Sequence, residues 1–105
     1  MKKKLCIEAR PFSVSNATQM QRLTYNTALE VFDCRGKTVD DPAFMTRLRE
    51  AEIVISGNDL HFTANLFELL PNLKLVAKFG VGLDMIDIPA ATALGVMICN
   101  TPGAN

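Results

Sequence analysis

Short apolar runs alternate with segments of helical periodicity along the chain. The runs have the length of buried strands and are bounded by turn residues. They cover residues 4–9, 29–34, 53–56, 73–79 and 96–99. The segments between them begin at residue types that cap helices, because their side-chain oxygens can accept hydrogen bonds from the first helical turn. These predicted caps are Ser15 or Asn16 for a helix through about Ala28, then Asp41, Thr63 and Asp87.

Two of the predicted helices carry apolar residues at positions that form one buried stripe. The stripes consist of Phe44, Met45, Leu48 and Ala51 in one helix and of Leu66, Phe67 and Leu70 in the next. Pro42 follows the Asp41 cap, where a first-turn proline is favoured. Gly95 predicts a left-handed cap at the carboxyl end of the last helix.

This repeated alternation of strand and helix predicts an α/β fold, a parallel sheet with helices on both faces. Right-handed crossovers favour a flavodoxin-like, doubly wound sheet of five strands in the order 2-1-3-4-5. The residues after the fifth strand, NTPGAN, contain no helix that could cover that strand. We therefore expect the domain to be truncated.

The composition is that of an ordinary globular domain. The chain has 105 residues, of which 49% are hydrophobic and 21% charged, and its formal net charge is zero. Without a basic surface, neither nucleic acid nor an anionic membrane is an expected partner. No apolar stretch reaches the ~20 residues of a membrane span, and the amino terminus lacks the apolar core of a signal peptide. We expect a cytoplasmic protein.

The cysteines are distant from one another, odd in number and without CxxC spacing. They are Cys6, Cys34 and Cys99, each in or beside an apolar run. We expect reduced thiols in or near the core, and neither a disulfide nor a metal site.

Ligands of doubly wound sheets bind beyond the carboxyl ends of the strands. Loops of small or polar residues lie there at residues 10–13, 56–59 and 80–84. Each can expose backbone N–H groups, so each is a candidate for part of a binding site.

The glycine pair of the last loop, in Gly80-Val81-Gly82, invites comparison with a dinucleotide-binding turn. Met85 stands where that motif has its third glycine, and no βαβ unit follows. Two interpretations remain open. The glycines let the chain turn out of a strand, or the N–H groups of Val81 and Gly82 form a cradle for a small carboxylate.

A specific combination of residues fills the last part of the chain. It consists of Lys78, Gly80, Gly82, Asp84, Ile86, Asp87, Ala90, Ala91, Gly95 and Asn100-Thr101-Pro102. With this set the stretch Leu70–Asn105 resembles the amino-terminal domain of the D-isomer-specific 2-hydroxyacid dehydrogenases, the phosphoglycerate-dehydrogenase-like family. The preceding part fits the family by its order of elements and by the strand in Ile53–Gly57.

The resemblance implies a larger parent enzyme, an NAD- or NADP-dependent oxidoreductase that acts on small D-2-hydroxy and 2-keto acids and forms a homodimer. In that family a substrate domain is built from both ends of the chain, and a Rossmann domain is inserted between them. Residues 1–105 would be the amino-terminal part of the substrate domain, without the Rossmann domain. The fragment alone is then expected to bind no cofactor and to be inactive.

The resemblance also implies which residues contact the ligands. Backbone N–H groups of Gly80, Val81 and Gly82 would bind the substrate carboxylate, and Val81 would also lie near the nicotinamide. Ser56 and Gly57, with Asn58, would line the same cleft. Catalytic residues of the family, a histidine with its glutamate and an arginine, are expected outside this chain, so none is assigned within it.

Two positions depart from the family pattern. Met85 replaces the usual asparagine, which removes a hydrogen bond within the loop. Ile55 stands where phosphoglycerate-specific members tend to have an arginine. Because a phosphate favours a bidentate guanidinium, reduction of an unphosphorylated 2-keto acid is favoured, and oxidation of phosphoglycerate is the alternative.

A second hypothesis is a self-standing flavodoxin-like or receiver-like interaction module. A receiver needs an acidic pair after its first strand, and Arg10-Pro11-Phe12 stands there instead. The single histidine, His61, precedes a predicted helix, where a solvated side chain without catalytic role is expected.

Overall fold

The computed structural model describes residues 2–9, 28–57, 60–78 and 83–100. Within these ranges the strands are β1 (Lys3–Ile7), β2 (Leu29–Asp33), β3 (Ile53–Ser56), β4 (Leu75–Lys78) and β5 (Met97–Asn100). The helices are α1 (Pro42–Glu50), α2 (Ala64–Glu68) and α3 (Ile88–Ala93). The helix predicted from Ser15 or Asn16 to Ala28 falls outside the described residues, apart from Ala28, which lies in a turn.

All strand pairs of the described sheet are parallel, and the order is β2-β1-β3-β4-β5. This confirms the predicted topology. The chain passes from β1 to β2 on one side and then returns to β3 on the other side of β1. The carboxyl ends of β1 and β3 therefore form the switch point of the sheet, where loops diverge and leave a crevice.

The predicted caps are confirmed at three helices by side-chain hydrogen bonds. Asp41 accepts from the N–H of Ala43 at 2.9 Å, and Thr63 accepts from Leu66 at 3.1 Å. Asp87 accepts in the same way from Ala90 at 3.0 Å. Gly95 has a φ of 75°, as its predicted role at the end of α3 requires.

The described helices all pack on one side of the sheet, which we call the helix-covered face. Its strand residues Cys6, Val54 and Val76 are fully buried. The helices contribute the buried side chains Phe44, Leu48, Leu66, Phe67 and Ala91. The predicted stripes are confirmed, except that Met45 is only partly buried.

The opposite face of the sheet has its own smaller cluster. Leu5, Ile7 and Ala9 are buried there, and Ile53 and Ile55 are partly buried. Met97 of β5, which pairs with Leu75, is 71% exposed. The apolar surface on this side is therefore only partly covered within the described residues.

Predicted strand ends differ from the observed ends by a residue or two. Leu73, for example, was predicted to lie in a strand. It is buried, but its N–H donates to the carbonyl of Leu70 in the turn after α2. Its apolar character reflects burial and not membership of the ladder.

Cys6 and Cys34 are buried free thiols, whereas the free thiol Cys99 is exposed on the edge strand β5. Burial raises the pKa of Cys6, and the neighbouring Cys34 thiol adds to that shift. Burial raises the pKa of Cys34 as well. Both core thiols therefore remain protonated and unreactive near neutral pH. Among the described helices, none has the length and apolar character of a membrane span.

Candidate functional site

Four neighbouring strands end in polar side chains on the helix-covered face. Ser56 pairs with Lys78, and Lys78 pairs with Asn100, so their side chains lie level across β3, β4 and β5. Glu8 follows β1 directly, and its N–H donates to the carbonyl of Ile55 at 2.8 Å, which brings Glu8 level with Ser56. We call Glu8, Ser56, Lys78 and Asn100 the polar row.

Three of these four side chains are buried, unlike most polar side chains at strand ends. Glu8 is 2% exposed, Ser56 0% and Lys78 1%, while Asn100 is exposed. Taking a carboxylate and an ammonium out of water is costly unless each finds polar partners. Adjacent strands lie about 4.8 Å apart, so Glu8 and Lys78 stand on either side of Ser56 at roughly two strand spacings. The carboxyl ends of the strands thus carry two buried side chains of opposite charge.

A hydrogen bond joins the two sides of the switch point. The N–H of Gly57, directly after β3, donates to Oε1 of Glu8 at 2.8 Å. The approach is close, since a Cβ at Gly57 would lie 3.1 Å from Cα of Ala9. The Ser56 hydroxyl donates to the carbonyl of Gly57 at 3.2 Å. The end of β3 is therefore fixed by two local contacts, one of them to β1.

The predicted site residues divide into two groups. Ser56 and Gly57 lie at the carboxyl end of β3 and are buried. Gly80, Val81 and Gly82 lie outside the described residues. In the sequence they follow Lys78, with Phe79 between Lys78 and Gly80.

The chain after this glycine segment is anchored to the start of α2. The N–H of Phe62 donates to the carbonyl of Met85 at 2.8 Å, and the N–H of Asp87 donates to the carbonyl of Phe62 at 2.8 Å. Phe62 and Ile86 form a parallel bridge and are both buried. Met85, which departs from the family pattern, contributes its backbone carbonyl to this anchor.

A cavity of about 220 Å³ opens beside Glu8. It is lined by Glu8, Lys37, Thr38, Val39, Leu60 and His61. His61 is exposed and precedes the Thr63 cap of α2, as expected for a residue before a helix start. The cavity lies on the β1 side of the switch point.

Sequence reasoning missed Glu8. Its only signal is a charged residue directly after the apolar residues Leu5, Cys6 and Ile7, which also fits a solvated strand end. Lys78 was noted only as part of the family pattern. That both side chains are buried follows from the sheet order, which brings distant strand ends together.

Comparison with known proteins identifies relatives of this chain. The family described as D-isomer specific 2-hydroxyacid dehydrogenase, catalytic domain, matches residues 12–105. A hydroxypyruvate reductase of Thermotoga maritima is 30% identical over 76 residues, which make up 72% of this chain and 25% of the reductase. A D-3-phosphoglycerate dehydrogenase of Mycobacterium leprae is 36% identical over 66 residues, 63% of this chain and 12% of that enzyme.

The fold resembles that of solved structures in the same group. The NAD+-bound crystal structure of 3-phosphoglycerate dehydrogenase from Entamoeba histolytica superposes with a TM-score of 0.76 and 22% identity. The match covers 98% of this chain and 34% of that chain, and at this identity it establishes the fold. The matched part of this chain thus spans 12% to 34% of the length of these relatives.

Proposed function

Because this chain belongs to the D-isomer-specific 2-hydroxyacid dehydrogenases, we propose that it is the amino-terminal part of the substrate domain of an NAD(P)-dependent enzyme. The enzyme interconverts small D-2-hydroxy acids and 2-keto acids. A Rossmann domain elsewhere in the protein completes it, and the chain alone is inactive. Family membership also argues against the alternative of a receiver-like module. A homodimer in the cytoplasm is part of the same proposal.

The observation that carries the proposal is the buried position of Lys78 at the end of β4. Its cationic side chain lies in the polar row, and in the sequence only Phe79 separates Lys78 from Gly80-Val81-Gly82. A buried cation favours an anion nearby, since the interior screens charge less than water does. The N–H groups of Val81 and Gly82 then donate to the substrate carboxylate, and the positive charge of Lys78 adds a favourable potential.

In this arrangement the chain binds and orients the substrate. The carboxylate is held at the glycine segment, and Ser56 and Gly57 form the neighbouring wall of the cleft. Val81 lies against the nicotinamide, which accepts or donates the hydride when bound. The base that moves the hydroxyl proton and the cation that polarises the carbonyl come from the rest of the enzyme. Holding the acid at a fixed distance and angle is the contribution of this domain to the rate.

The partly covered opposite face of the sheet supports the assignment to a larger substrate domain. Ile53 and Ile55 are only partly buried there, and Met97 is 71% exposed. Apolar surface of this kind normally packs against another element. A returning carboxyl-terminal segment, as the family resemblance implies, is the proposed cover.

The substrate is proposed to be an unphosphorylated acid such as glyoxylate or hydroxypyruvate. Ile55, which takes the place of an arginine, is packed near the Leu5 and Ile7 cluster on the opposite face. It supplies no cation to the side where the polar row lies. A phosphate would lack the guanidinium that best satisfies it.

The test is an assay of the full-length protein that carries this chain. We expect oxidation of NADH or NADPH with glyoxylate or hydroxypyruvate, and slower reduction of NAD+ with phosphoglycerate. The primary amide of the same keto acid, which lacks the carboxylate charge, should react with a much higher KM. Residues 1–105 alone serve as the control and should give no turnover. Absence of turnover by the full-length protein with all these acids would refute the proposal.

A further inference from the structure

We propose that Glu8 is a positioning residue, which fixes the substrate-side end of β3 through its hydrogen bond to Gly57. The inference deepens the proposed function and rests on it for its kinetic consequences. Glu8 is not among the residues that the family resemblance implies. It is singled out by its burial and by a contact that joins β1 to β3 across the switch point.

The geometry makes this contact difficult to replace. Oε1 of Glu8 accepts the N–H of Gly57 at 2.8 Å, and Glu8 is 2% exposed. Gly57 is itself buried, so its N–H is not exposed to bulk water that could replace the carboxylate. The backbone approach to Ala9 at this point leaves little room for a side chain. A buried N–H without an acceptor destabilises the folded state, and the local backbone would shift until the N–H finds another acceptor.

The position of Gly57 gives that shift a functional consequence. Gly57 is the point where β3 passes into the loop that lines the proposed cleft. Its N–H is held by Glu8 and its carbonyl accepts from the Ser56 hydroxyl. Both backbone polar groups are therefore engaged within the domain. Glu8 thus determines where the loop leaves the sheet, without touching the substrate.

A carboxylate in this place must be compatible with an anionic substrate. Lys78, on the strand that leads into the glycine segment, lies in the same polar row on the far side of Ser56 and carries the opposite charge. Residue 8 must then be long enough to place an acceptor oxygen at the N–H of Gly57. Its negative charge is dispensable for this role. This distinction can be tested with two conservative substitutions.

The experiment compares Glu8→Gln with Glu8→Asp in the full-length protein. Gln keeps an acceptor oxygen at the same distance and removes the charge, whereas Asp keeps the charge and is one methylene shorter. We expect Glu8→Gln to keep KM for the keto acid within about threefold of the wild type. Glu8→Asp should raise KM about tenfold, with a smaller change in kcat, because the loop is displaced and the binding geometry is lost.

Hydrogen–deuterium exchange gives a second measurement that is independent of turnover. In the protein without substrate, peptides spanning residues 53–57 should exchange faster in Glu8→Asp than in the wild type, and at nearly the wild-type rate in Glu8→Gln. The matched control is Cys6→Ala, which truncates a fully buried side chain on the same strand and the same face. It should lower the melting temperature without changing KM, and any faster exchange should extend over the strands of the sheet and not be confined to residues 53–57.

The outcomes separate this inference from the proposed function. If Glu8→Gln is impaired and Glu8→Asp is not, the charge matters and the positioning role is wrong. If neither variant changes the exchange of residues 53–57, the hydrogen bond does not fix the loop and the inference is likewise overturned. Lack of turnover by the wild type, together with the expected exchange pattern, would refute the proposed function and retain the role of Glu8 in fixing the end of β3.

Discussion

Lys78 is the residue whose placement most constrains what this domain can bind. It is 1% exposed, at the last position of β4, with Ser56 and Asn100 beside it on the neighbouring strands. Lysine is rarely buried without a reason, because its ammonium group must be satisfied by polar partners. Its place two residues before Gly80 links the charge of the polar row to the proposed carboxylate site.

Replacing Lys78 by methionine should weaken binding of the acid substrate. Lys78→Met keeps an unbranched side chain and removes the cation, so KM for the keto acid should rise about tenfold in the full-length protein. The KM of the neutral amide analogue should change much less. Lys74→Met is the matched control, since Lys74 is exposed just before the same strand and loses the same charge. Equal effects of the two substitutions would contradict a local role for Lys78.

Among the elements, the helix starts are the part of the structure that local chemistry determines. Asp41, Thr63 and Asp87 each bond to an N–H two or three residues ahead, so short sequence windows contain all the information needed. The contact between Glu8 and Gly57 spans 49 residues and exists only because β3 returns beside β1. Sequence patterns could therefore predict the strand order and the caps, but not the buried polar row.

The cap of α1 makes this argument testable. Asp41→Ala removes the acceptor for the Ala43 N–H at the start of the helix and should lower the free energy of unfolding by about 1 kcal/mol. Asp40→Ala removes the same charge one residue earlier, at an exposed position outside the cap, and should cost much less. The free energies of unfolding of both variants are measured by equilibrium urea unfolding. They can be compared directly if the m-values are unchanged. Equal losses would mean that charge, and not the capping bond, stabilises α1.

At the scale of the molecule, the two faces of the sheet differ in how the described residues cover them. The described helices bury the residues around Val54 and Val76, whereas Leu75, Ala77 and Met97 on the other side are partly or largely exposed. Doubly wound sheets normally have helices on both faces, and the helix predicted between β1 and β2 falls outside the described residues.

Met97 allows a test of whether β5 promotes self-association when residues 1–105 are produced alone. β5 is the edge strand of the described sheet, and unprotected apolar edges favour association between chains. We expect the isolated chain to self-associate at about 100 µM, as seen by sedimentation velocity. Met97→Lys should shift it toward monomer, because an edge lysine opposes strand pairing.

Val39→Lys is the matched control, since Val39 is also an exposed apolar residue, at 48%, but lies in the loop between β2 and α1. Both variants gain the same charge. A difference in self-association between them would therefore come from β5 and not from a general gain in solubility. In the full-length protein the proposed carboxyl-terminal segment covers this side, and Met97→Lys should there destabilise the fold without relieving association. A wild-type chain that stays monomeric at the highest concentration would show that the exposed face needs no cover.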